Sequence, residues 1–216
     1  MNINEIKISD DIKFDNIFDF ILDKQKILLK KYWKKPLGNE IHTEEWQKEL
    51  RLFTKYTIEE IAEAMEELYD RKDIDPNQKF IQILKDESYI HFIEEIIDSL
   101  HFITEKCLLS GLDSYKTISR YKTYTKKIRP LNNLNEFKVL ITDIVYKINI
   151  TDNFLRNKEW KRTNVVTNVE LYLEGLIDAY FTFYDMLYSL WLDDKLIAYI
   201  YSKKHEVNNF RIRSNY

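Results

Sequence analysis

Glycine and proline are nearly missing: the 216-residue chain has 3 of each. Sheet-rich and loop-rich folds need more turn residues than that, so the scarcity favours long helices. Cysteine is rarer still. Cys107 alone excludes an intramolecular disulfide and a cysteine-based metal cluster, and its apolar neighbourhood suits a buried structural thiol. Strong net charge is also lacking; at −3, nothing global points to stable nucleic-acid binding or to an anionic membrane. The first residues, MNINEIKISDDIKFD, lack the apolar run of a signal peptide. The most apolar run, Leu176 to Leu192, contains Asp178 and Asp185, and reads as a buried helix rather than a membrane span. A cytoplasmic location is the expectation. No glycine-rich phosphate loop, no G-x-S-x-G and no Cys/His nucleophile pair occurs, and His42, His91 and His205 have no zinc-site spacing.

What is present is the mix of a foldable amphipathic helical protein, 44% hydrophobic and 32% charged. Apolar periodicity predicts a helix over about 14–34, closed by the break at Lys34 to Asn39. A second segment begins at Thr43. Thr57-Ile58-Glu59-Glu60 has the form of a capping box, so a helix either starts there or runs through it. Further helices are expected over 79–109, ended by Gly111, then over 135–148, 164–192 and 194–213. Residues 112–127 fit a weak helix or an extended loop. The chain reads as a single all-α domain over 1–216, a bundle of packed helices. Residues 112–163 are open to reading as a helical insert or mobile subdomain.

Two acidic pairs stand out. Glu60-Ile61-Ala62-Glu63 and Glu95-Ile96-Ile97-Asp98 each place two carboxylates at i, i+3, on one side of a helix. Both lie in apolar frameworks, around Ile58, Ile61 and Met65 and around Phe92, Ile93, Ile96 and Leu100. Four carboxylates beside a helical core repel one another unless a cation sits between them. Oxygen-only ligands suit a hard ion, Mg²⁺ or Mn²⁺, and so chemistry on phosphates. The competing reading is a solvated acidic face, because Glu59, Glu66, Glu67 and Glu94 are close by.

Near the C-terminus Lys204, Asn208 and Arg211 stand at i, i+4 and i+7, one face of a helix suited to phosphate oxygens. A basic helix end that complements the macrodipole is the plainer reading. Tyr216 is placed to close over phosphates. Gln25 offers the donor and acceptor that the edge of uracil needs, and His101 shares the face of Asp98. Among the tryptophans, Trp46 is the candidate to sandwich a base, and the others read as core.

Taken in order, these pieces resemble the dimeric all-α dUTPases of the MazG-like pyrophosphatases. The resemblance rests on Glu60-Ile61-Ala62-Glu63, on Glu95-Ile96-Ile97-Asp98-Ser99-Leu100-His101-Phe102, on Lys204-His205-Glu206-Val207-Asn208-Asn209-Phe210-Arg211 with Tyr216, and on Gln25 in the first helix. It implies a homodimer that holds Mg²⁺ on Glu60, Glu63, Glu95 and Asp98. The implied reaction converts dUTP to dUMP and pyrophosphate, which limits uracil incorporation into DNA; some members also accept dUDP. Glu60 is the candidate proton acceptor. Gln25, His101, Lys204, Asn208, Arg211 and Tyr216 are the candidate substrate contacts. The chain departs from the family's KxWK-type segment, reading Tyr69-Asp70-Arg71-Lys72 there, and has Asn215 where a glycine often precedes the last tyrosine. The alternatives are a related pyrophosphatase acting on dCTP or other deoxynucleotides, and a non-enzymatic helical protein that binds a partner or nucleic acid through its basic end.

Overall fold

A computed structural model describes residues 12–33, 41–69, 88–156 and 166–214. They form helices α1 (Ile17–Tyr32), α2 (Glu44–Tyr69), α3 (Ser88–Leu109), the single turn α4 (Tyr115–Ile118), α5 (Leu134–Asp152), α6 (Val169–Ser189) and α7 (Asp194–Ser214). A 3₁₀ turn, Asn153–Leu155, follows α5. No strand occurs among the described residues, and the all-α expectation holds. No helix among them is long and apolar enough to cross a membrane.

Short polar side chains start most of these helices by accepting from backbone N–H groups that lack intrahelical partners. Asn16 accepts from Phe18 N at 2.8 Å, Asn133 from Glu136 N at 3.1 Å, and Asn168 from Leu171 N at 3.1 Å. Thr43 caps α2 through Trp46 N. Thr57 caps nothing: α2 runs through it, and its hydroxyl donates to the Phe53 carbonyl inside the helix. Gly111, at φ 84°, ends α3 as predicted, with Leu112 N returning to Cys107 O at 2.9 Å.

Among the described residues, the α2–α3 pair makes the most extensive contact. Its helices are antiparallel: the start of α2 meets the end of α3, where Trp46 Nε1 donates to Leu109 O at 3.0 Å. Trp46 is buried edge-on against Trp33. It therefore holds two helices together and is not available to sandwich a base. Helix α6 is buried along most of its length, with Tyr180, Phe183 and Tyr184 inside the core. It packs on α5, whose Ile144 and Ile148 belong to the same apolar cluster. Of the ambiguous residues 112–127, only Tyr115–Ile118 are helical.

Candidate metal centre and its pocket

Because α2 and α3 run antiparallel, the latter half of one lies beside the first half of the other. Glu60 of α2 thereby meets Glu95 and Asp98 of α3, with one carboxylate oxygen from each lying within 4.8 Å of the others. All three side chains are half-buried. Glu63 is exposed and stands outside this trio, though its charge is near enough to act on Glu60.

Such crowding holds protons. The Glu60 carboxyl is pushed up to about 8, first by burial, then by the charge of Asp98 and a hydrogen bond with Glu95. Asp98 is also raised by burial, although Lys204 Nζ donates to its Oδ2 at 2.6 Å. Lys204 is raised in turn: burial works most strongly against its charge, but the Asp98 hydrogen bond and the charges of Asp98, Glu95 and Glu94 together outweigh it. Three oxygen donors with excess negative charge fit a hard divalent cation, which would relieve the repulsion that now raises Glu60.

A pocket of about 250 Å³ opens beside these carboxylates. Its lining includes Glu60 from α2, Asp98, His101 and Glu105 from α3, Asn208 and Arg211 from α7, and Gln25 from α1. The structure thus gathers Gln25, Glu60, Asp98, His101, Asn208 and Arg211 around one space, with Lys204 bonded to Asp98 at its edge. Glu95 joins through the carboxylate trio. Tyr216 lies outside the described residues, as do most residues of the segment after Tyr69.

Helix α7 can serve the pocket because its opposite face is tied to α1. His205 Nε2 donates to Lys24 O at 3.0 Å, Asn209 Nδ2 donates to His205 Nδ1 at 2.9 Å, and Lys31 donates to Asn209 Oδ1. That leaves Lys204, Asn208 and Arg211, one helical face, turned to the pocket side.

Glu105 escaped the sequence reading, although it is almost fully buried. It receives a hydrogen bond from Gln25 Nε2 at 2.5 Å and another from the Tyr32 hydroxyl. Burial lifts its carboxyl to about 7, against the lowering effect of those two donors. The signal was present: Glu105 follows His101 by four residues and Asp98 by seven, inside the apolar run Phe102 to Leu109. Tyr201, stacked on His101 at 3.8 Å, also escaped the sequence reading.

A larger cavity of about 610 Å³ lies between α2 and α5, lined by Thr54, Ile58, Tyr146 and Ile150 among others. It contains none of the candidate site residues. No protein-family model, curated protein or solved structure matches the chain.

Proposed function

We propose that this protein is a Mg²⁺-dependent nucleoside triphosphate pyrophosphatase that hydrolyses dUTP to dUMP and pyrophosphate. One observation carries the reading: carboxylates, cations and neutral hydrogen-bonding groups converge on a single pocket. Each set matches one part of the substrate.

Glu60, Glu95 and Asp98 are the proposed holders of the cation, with Glu63 one turn further on. When bound, Mg²⁺ or Mn²⁺ neutralises phosphate oxygens and makes the phosphorus open to attack by water. Arg211 and Lys204 supply positive charge to the triphosphate, and Arg211 can grip two of its oxygens at once. Asn208 suits the sugar or base, since its amide both donates and accepts. Glu60 is the proposed acceptor of the proton released as water forms its bond to the α-phosphorus. The bond that breaks joins that phosphorus to the bridging oxygen, and pyrophosphate leaves. A cytoplasmic homodimer completes the reading.

The test is pyrophosphate release from a panel of deoxynucleoside triphosphates, with Mg²⁺ and with EDTA. The expected result is Mg²⁺-dependent turnover of dUTP, reduced at least about 100-fold in Glu60→Gln and Asp98→Asn while the helical circular dichroism is retained. Full activity in both variants would sink the assignment. Turnover of dCTP in place of dUTP would keep the site and change the base. A panel with no turnover would favour a binding protein acting through its basic end.

A further inference from the structure

The pocket has a floor that the proposed hydrolysis leaves unused. Gln25, His101 and Glu105 form it, one from α1 and two from α3. The Gln25 amide makes three of its four possible hydrogen bonds. Its Nε2 donates to Glu105 Oε1, and its Oε1 accepts from His101 Nδ1 at 2.7 Å and from the Tyr201 hydroxyl. Tyr32 donates to the same Glu105 oxygen. Gln25 therefore has one N–H left for a ligand and no free acceptor lone pair.

Two atoms are left over. Glu105 Oε2 and His101 Nε2 are buried and have no hydrogen-bond partner. Their residues are only 3% and 4% exposed, and both line the pocket. His101 Nδ1 donates to an amide oxygen, so the proton sits there and Nε2 presents a lone pair. Ionised, as it is above about pH 7, Glu105 presents lone pairs at Oε2 as well. Both vacancies are acceptors, and buried acceptors without donors are costly. A group that brings N–H donors is complementary to this floor, whereas one that presents only lone pairs is repelled.

We propose that Glu105 is the base-reading residue, accepting an N–H from the edge of the nucleobase, and that Gln25 is a positioning residue that aims it. This rests on the pyrophosphatase reading of the same pocket. In dUTP the donor is the ring imide N3–H; in a cytosine nucleotide it is the exocyclic amino group.

The variant Glu105→Gln separates reading from packing. Its amide oxygen stays on the inner side, where Gln25 and Tyr32 donate. Its NH₂ then takes the place of Oε2, putting a donor where an acceptor stood. The experiment measures binding of deoxyuridine, 3-methyldeoxyuridine, deoxycytidine and N4,N4-dimethyldeoxycytidine to the full-length chain by calorimetry or NMR. Hydrolysis of dUTP and 3-methyl-dUTP is measured in parallel. In the wild type, methylating the N–H is expected to weaken binding and kcat/KM at least about 10-fold for the base that the pocket reads. In Glu105→Gln that ratio falls toward one.

The wild-type ratio needs no variant, so a misfolded Glu105→Gln does not rescue the idea. Selective binding of deoxyuridine identifies the imide as the donor; selective binding of deoxycytidine identifies the amino group. Turnover of dUTP with no penalty for methylation overturns the role of Glu105 and leaves the pyrophosphatase standing. Methyl-sensitive nucleoside binding without turnover does the reverse. Neither binding nor turnover overturns both.

Discussion

Glu60 keeps its proton far above the range of an ordinary glutamate, and that has a consequence for stability. Folded, it releases the proton near pH 8; unfolded, it does so near 4.5. Between those values the folded state holds the extra proton, so the resulting stability is full below about 4.5 and lost as pH rises toward 8. Glu105 adds a similar loss up to about 7. His101 runs oppositely: burial lowers it to about 3 from an ordinary 6.5, so its contribution is lost as pH falls below 6.5. Between pH 6.5 and 8 both glutamates act in this direction. In EDTA, Tm is expected to fall across that window, and the fall should shrink in Glu60→Gln. A slope unchanged by that substitution would show that Glu60 is not its source. Added Mg²⁺ should flatten the slope, because a bound cation favours the ionised carboxylates. Elsewhere in the core, Lys106 is fully buried, donating to Thr54 and paired with Asp152 at 2.5 Å. Asp152→Ala strands that ammonium, and urea unfolding is expected to report a loss of about 3–5 kcal/mol.

At the level of elements, α5 and α6 approach closely at Gly175. A Cβ built on Gly175 would lie 2.7 Å from Thr151 Oγ1. Thr151 cannot easily turn away, since its hydroxyl donates to Lys147 O within α5. Gly175→Ala should therefore cost about 1–3 kcal/mol in denaturant unfolding, despite alanine's better helix propensity. Adding Thr151→Ala should recover part of that loss, because it removes the clashing atom. Sequence legibility also varies by element. The starts of α1, α5 and α6 are marked by asparagine caps, and the end of α3 by Gly111. The end of α6 carries no such mark. Trp191 adopts φ 66° there, a position where glycine is the usual residue, while Leu192 N returns to Leu187 O. Periodicity alone therefore ran the helix to Leu192. At Thr57 the capping-box spacing leaves two readings open, and burial against the core decides between them: α2 runs straight through.

For the whole molecule, α5 leaves Val139, Tyr146 and Ile150 exposed, the last two beside the cavity against α2, and α7 leaves Phe210 exposed near its end. The homodimer proposed with the enzymatic reading gives apolar surface of this kind a use. Light scattering is expected to give twice the chain mass of 26.3 kDa, and a monomeric mass would count against the dimer.

Composition and spacing by themselves determined the helical class, and they put the acidic pairs and the basic triplet each on one helix face. These are local properties: few turn residues, a 3.6-residue period, carboxylates at i, i+3. Only the tertiary structure decided which of those groups meet. The antiparallel pairing of α2 and α3 brings Glu60 to Glu95 and Asp98 and leaves Glu63 exposed. The docking of α7 on α1 through His205 and Asn209 turns Arg211 toward the same pocket. The same packing buries Glu105 beside it and bonds Gln25 to Glu105 and His101. Partners far apart in the chain are chosen by which helix faces bury each other, and no local pattern encodes that choice.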